Sequence, residues 1–163
     1  MKTPAFILLL FLALATTSCQ KHRNCCVLPV VTNQISATKD GTSWRAPSQI
    51  DVIKPGVTDT LILRGHIGEE NIAFTLKRNS ADNYTLVDAT YFTTVGQDAV
   101  VSTFVLDKSK DNTFTVTTSA DEKNFQGSFS LYFKQTYGNT LSPAYPAALS
   151  FKDGIYKATQ SSK

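Results

Sequence analysis

Few side chains in this sequence are of the kinds that make or break bonds. Its two histidines are His22 and His66, and its three cysteines, Cys19, Cys25 and Cys26, all lie in the first 26 residues. A Ser-His-acid relay would have to use His66, since the hydroxyl nucleophile needs an imidazole base within hydrogen-bond reach. His66 falls on the polar side of an alternating strand pattern, where a lone histidine is an ordinary surface group. No His-Glu-x-x-His metal motif, glycine-rich phosphate loop or nucleophile elbow occurs. Carboxylates gather in turns, as in Asp107-Lys108-Ser109-Lys110-Asp111 and Asp121-Glu122. The first of these lacks the acid count and spacing of a calcium loop. Glycoside hydrolysis needs two carboxyl groups ~5–9.5 Å apart across a cleft, a meeting that sequence spacing does not show, and these acids read as solvated turns. The expectation is a non-enzyme with no metal and no cofactor.

The adjacent thiols Cys25 and Cys26 have a narrow range of uses. Neighbouring Cα atoms lie ~3.8 Å apart across a trans peptide, below the ~4.4–6.8 Å range of relaxed disulfides. A ring between the two would be strained and easily reduced, so their leading functional reading is a disulfide to another chain. Two thiolates without further ligands do not make a zinc site.

Cys19 stands in a different context. Lys2 is followed by an apolar run from Ala5 to Ala15 and then Thr16-Thr17-Ser18-Cys19. A basic start, an apolar stretch too short to span a bilayer and a small-residue cleavage site make a secretory signal over residues 1–18. The cysteine directly after it resembles the lipobox of bacterial lipoproteins, in which that residue is diacylated and becomes the new N-terminus. Thr16 replaces the usual Leu, a relaxed form similar to that of Bacteroidetes lipoproteins. Two acyl chains give stable attachment where one gives only reversible binding. Gln20 is not the Asp that marks inner-membrane retention, and Gln20-Lys21-His22-Arg23 is not the Lys-and-acid pattern of surface export. The resemblance implies the outer membrane and favours its periplasmic leaflet.

Removing residues 1–18 takes away Lys2 and no acid, which lowers the formal charge from +3 to +2 and leaves 145 of 163 residues. So small a charge, scattered without a basic stripe, gives nucleic acid binding no support. A domain near this length buries ~68–70% of its chain surface, enough for one core. The expected organisation is a tether over 19–33, one β domain over 34–160 and a short tail over 161–163.

Within that domain the alternation has a period of two almost throughout, and no stretch carries helical periodicity with caps. Ile35 to Lys39, Asp40-Gly41 and Thr42 to Ala46 read as a hairpin. Leu61, Leu63, Gly65 and Ile67 form one face of the next strand, and Ile72, Phe74 and Leu76 the buried face of its antiparallel partner. Further strands are expected at Tyr84 to Val87, Thr90 to Thr94, Ala99 to Leu106 and Thr113 to Thr118. The clearest alternation is Phe125, Gly127, Phe129, Leu131 and Phe133, in which Gly127 marks a bulge or the close approach of another backbone. A last hairpin is expected from Leu149 to Ala158, turning at Asp153-Gly154. Antiparallel strands without covering helices hide their apolar faces by packing two sheets or by closing into a barrel. The many large inward residues favour an antiparallel two-sheet sandwich, with a calycin-like meander barrel as the alternative.

Several short motifs resemble those of small single-domain Bacteroidetes lipoproteins of unknown function. They are Ala37-Thr38-Lys39-Asp40-Gly41 with Trp44 close by, Tyr84-Thr85-Leu86, Gly127-Ser128-Phe129-Ser130 and Gly154-Ile155-Tyr156. The resemblance implies an architecture and no catalytic residues. Candidate ligand contacts are Trp44, the only tryptophan, and Tyr137 and Tyr145 in the longest connection, since amphipathic aromatics are enriched at recognition surfaces. Asp59-Thr60-Leu61 resembles a Bacteroidetes O-glycosylation acceptor, with Thr60 the modified residue. The expected role is a membrane-anchored binding or accessory module whose partner is an envelope protein or a glycan. A carrier of a small apolar ligand is the alternative, followed by a hydrolase.

Overall fold

Asp40 and Gly41 reverse the chain because both adopt positive φ, 45° and 84°, as a two-residue hairpin turn of this hand requires. They join β1 (Gln34–Lys39) to β2 (Thr42–Ile53). The structure is a computed structural model that describes residues 33–53, 60–79, 81, 83–138 and 146–160. The signal, Cys19, Cys25, Cys26 and Tyr145 lie outside these residues. Eight more strands follow, β3 (Thr60–Ile67), β4 (Glu70–Arg78), β5 (Tyr84–Val95), β6 (Ala99–Leu106), β7 (Thr113–Phe114), β8 (Thr117–Thr118), β9 (Asn124–Tyr137) and β10 (Ala148–Thr159). All pair antiparallel with their neighbours, and the described residues contain no helix.

The sandwich expectation gives way to a single closed barrel of eight strands. Closure comes from β10, which pairs with β9 on one side and with β1 on the other. Two packed sheets would each leave edges unpaired, whereas this ring satisfies the backbone of its first and last long strands together. The entry end of the barrel carries Asn33, Thr60, Tyr84, Asn124 and Thr159. The opposite, turn end carries the reversals at 40–41, 68–69 and 96–98.

Alternation is obeyed where the sequence is most regular. Leu61, Leu63, Ile72, Phe74 and Leu76 point into the core, as do Phe125, Phe129, Leu131 and Phe133. Ile67 departs from its expected face because it has reached the rim, where it is 46% exposed. The interior is filled by rings in contact. Trp44 meets Phe151 edge-on at 5.3 Å, Phe151 meets Tyr91 and Phe133, and Phe74 packs on Phe114 and Phe129. Aromatic pairs in such geometries contribute ~0.5–1.5 kcal/mol each beyond the area they bury.

Three expected reversals or breaks turn out otherwise. Tyr84–Val87 and Thr90–Thr94 belong to one strand, β5, in which an extra residue bulges between the pairs Leu76–Leu86 and Thr75–Asp88. Asp153-Gly154 makes no hairpin: Asp153 takes a φ of 51° within β10, and the register slips by one residue against both β1 and β9. A turn dipeptide has been spent on a bulge, which bends a long strand around the barrel. Gly154 is needed there because a Cβ would lie 2.4 Å from the Phe129 ring. The expected strand at 113–118 is interrupted after Phe114, giving β7 and β8.

Candidate functional site

Charged side chains on the inward parity of their strands are the site's first ingredient. Lys39 shares a face with Ile35 and Ala37 in β1, and Glu70 shares one with Ile72, Phe74 and Leu76 in β4. Both sit at the last inward position before the turn end, which is the only place where such groups can stay partly hydrated. Lys39 Nζ donates to Glu70 Oε1 at 2.5 Å and to the Tyr91 hydroxyl at 2.6 Å. The Trp44 indole N–H donates to the other carboxylate oxygen, Glu70 Oε2. Tyr91 is only 1% exposed. Its phenol is pushed well above its ordinary value by burial and by the neighbouring Glu70 carboxylate.

Above this network lies an open recess of about 550 Å³, lined among others by Lys39, Asp40, Trp44, Arg45, Ile67 and Glu70. Its floor is set by local sequence. Gly65 in β3 has no side chain, and a Cβ there would come 2.8 Å from Ile35 Cδ1 and 3.4 Å from Trp44 Cη2. Asp40 fixes one wall, because its carboxylate accepts from the Ser150 N–H at 2.7 Å and its own N–H donates to the Ser150 carbonyl at 3.0 Å. The first hairpin is thereby held onto β10. Ile67, Val95, Val100 and Tyr137 are all exposed apolar side chains of this same end.

Glu70 accepts from two donors, the Lys39 ammonium and the Trp44 indole N–H. The recess offers two cationic and two anionic side chains in a fixed array beside an apolar rim. Elsewhere, His66 projects from β3 with Nδ1 3.0 Å from Asn71 Oδ1. It lines a smaller recess of about 350 Å³ with Ser48, Gln49, Arg64 and Phe92; the Ser48 hydroxyl donates to the Lys157 carbonyl at 2.6 Å, and no Asp or Glu lines that recess. Among the described residues no group of three or more His, Cys, Asp or Glu is placed to hold a metal ion.

Of the residues singled out in the sequence, Trp44 is 7% exposed and its indole N–H faces the recess floor. Tyr137 is 61% exposed at the same end of the barrel. Thr60 is half-buried at the opposite end, the first residue of β3 and paired with Lys77. The Lys39–Glu70 pair was missed. Its signal was available in the parity of both residues, but Glu70 reads most simply as part of a polar turn.

A small closed antiparallel barrel with a charge-paired recess at one end is the class that fold and site define. No family model, no curated protein and no solved structure matches the chain.

Proposed function

We propose that this protein is a lipid-anchored, non-enzymatic binding module of the bacterial outer membrane, held in the periplasmic leaflet and meeting an envelope protein or glycan with its turn end. The observation that carries the reading is directional. β1 begins at the entry end, and the recess with its apolar rim lies at the other. A chain acylated at Cys19 would reach the barrel at Asn33, the end of the barrel opposite the recess. The fourteen residues 20–33 span at most ~46–50 Å, enough to present the barrel clear of the headgroups.

The barrel is also the architecture of calycin-like carriers, which hold a small apolar ligand inside. Against that alternative stands the interior itself, where rings of Trp44, Phe74, Tyr91, Phe129, Phe133 and Phe151 occupy the positions a ligand would need. Hydrolysis has less support, since no histidine lines the recess to activate its Thr42 or Ser43 hydroxyls.

The test is intact mass and membrane fractionation of the native protein beside a Cys19→Ala variant. Loss of residues 1–18 with a gain of acyl mass, and release of the variant from the membrane, is the expected result. A mature protein that is unacylated and soluble in both forms would remove the anchor from the reading.

A further inference from the structure

The barrel is closed by backbone pairing only over part of its height. β6 pairs with β5 from Val95–Ala99 down to Thr90–Val105, and with β9 from Thr103–Tyr137 down to Leu106–Phe133. Below that level β7 and β8 take up the line of β6 along β9, through Thr113–Ser130, Phe114–Phe129, Thr117–Gln126 and Thr118–Phe125. They do not rejoin β5. No backbone hydrogen bond crosses between residues 84–89 and 113–118. The Cα atoms of β5 and of these two short strands lie mostly more than 8 Å apart. Neighbouring strands sit ~4.8 Å apart, so a strand held between two others separates them by ~9.6 Å. Among the described residues the wall is therefore unpaired along a seam at this level, its two edges too far apart to bond to each other directly.

Three further observations give the seam a character. The half-buried apolar side chains packed against the core are Tyr84, Leu86, Phe114 and Val116, and all four flank it. Next, the edges are unguarded: Tyr84-Thr85-Leu86-Val87 and Thr113-Phe114-Thr115-Val116-Thr117-Thr118 contain no Lys, Arg or Pro, the residues that normally blunt an open edge. Finally, the slot has two closed ends. The Thr90–Val105 ladder bounds it above, and Arg78 of β4, donating to Glu122 beyond β8 and to the Tyr84 hydroxyl, bounds it below.

We propose that this seam is a docking slot for one extended polypeptide segment of a partner protein, about six residues long, which adds as a strand between β5 and β7–β8. Because 113–118 bonds to β9 through Thr115 and Ser119, alternation turns the N–H and C=O groups of Phe114, Val116 and Thr118 toward the seam. Opposite them the pairing of Thr85 with Lys77 leaves those of Tyr84 and Leu86 free to face it. The entering strand runs antiparallel to one edge and parallel to the other, since β5 and β7–β8 run in opposite directions. It presents apolar residues inward, against Leu86, Phe114 and Val116, and polar ones outward. A second barrel cannot supply this strand from its own wall, because the slot is closed at both ends and admits a free segment only. The inference does not depend on the lipid anchor.

The probe is a synthetic peptide of alternating Thr and Val over six residues, flanked by lysine pairs, with a control that carries N-methyl groups on alternate amides. Amide hydrogen exchange of the intact mature chain is followed with about millimolar peptide. The expected result is at least about tenfold slower exchange at Leu86, Phe114 and Val116 with the first peptide and none with the control. A Val116→Lys variant, its fold checked by its thermal transition, loses the protection, and Val116→Ile keeps it. Absence of protection overturns the proposal. Equal protection by the methylated control also overturns it, because the slot would then be taking apolar side chains or hydrocarbon without strand pairing.

Discussion

Replacing Gly127 by alanine should dislodge the segment that carries β7 and β8. Gly127 lies on the inward parity of β9, and a Cβ built there would come 1.9 Å from the Thr115 carbonyl oxygen and 2.8 Å from the Tyr156 hydroxyl. That carbonyl is backbone and cannot swing aside alone. It accepts from the Tyr156 hydroxyl at 2.8 Å, while the Thr115 N–H donates to the Ser128 carbonyl at 2.8 Å. Forcing a methyl group into such a contact costs ~1–3 kcal/mol. Losing the tyrosine's partner in a buried setting adds ~1–3 kcal/mol. The sum, about 4 kcal/mol at the middle of the two ranges, corresponds to a fall in Tm of roughly 12–20 °C for a domain of this size. Chemical and thermal denaturation of Gly127→Ala measure it, with Tyr156→Phe and the double variant completing a cycle. Since both changes act on the same carbonyl, their effects should be strongly non-additive. Gly65→Ala is the contrast, because its Cβ would meet side chains and no backbone, Ile35 Cδ1 at 2.8 Å, Ile72 Cγ2 at 3.1 Å and Trp44 Cη2 at 3.4 Å, and it should cost less. A Gly127→Ala variant within about 0.5 kcal/mol of the parent, or one whose effect simply adds to that of Tyr156→Phe, would refute the argument.

Three further outcomes are expected. Glu70→Ala leaves the Lys39 ammonium and the Trp44 indole N–H without their shared acceptor, for a loss of ~1–3 kcal/mol, and the emission of the only tryptophan should shift to the red as the recess opens. Burial raises the folded-state values of the Tyr91 and Tyr156 phenols. Their contribution to stability is therefore complete below the ordinary tyrosine value near ~10 and is lost as pH rises past it; phenolate absorbance should show both ionising only as the protein unfolds. Asp121, held by the Ser119 hydroxyl and then by the Lys123 N–H, titrates below the ordinary aspartate range. Its contribution is present above ~3.9 and fades as pH falls through the folded value; carboxyl NMR shifts check this, and Ser119→Ala should bring the titration back up.

Local chemistry was legible wherever one side of a strand decided it. The faces of β3, β4 and β9 follow from alternation alone, and Gly127 proved to mark a close backbone approach, one of the two readings its pattern left open. The misreadings share a cause. Asp153-Gly154 carries the same residues as Asp40-Gly41, yet only the first hairpin reverses, because β10 is held on both sides by β1 and β9 across its bulge. A dipeptide reports that φ can be positive and says nothing about whether neighbours keep the chain straight. Barrel closure is likewise non-local: it rests on Gln34–Lys157 and the pairs beside it, residues at opposite ends of the domain. Lys39 and Glu70 were hidden by their nearness to turns, where a charge normally needs no structural reason.

Filling the barrel with rings moves recognition to its boundaries. A hollow barrel can bind inside, but here the inward positions are occupied by aromatic side chains in mutual contact, and displacing any one would open a cavity at a cost of ~3–5 kcal/mol. What remains accessible is where the packing ends. At the turn end it stops at a layer of paired charge, in which Glu70 takes donors from Lys39 and Trp44. Along the lower wall it stops at Tyr84, Leu86, Phe114 and Val116, beside unpaired backbone. The two boundaries ask for different partners, since fixed charges select a complementary polar surface and open edges select an extended chain. Because Gly127→Ala perturbs only the second of these, it should abolish strand addition at the seam while leaving Trp44 emission and the Lys39–Glu70 recess unchanged.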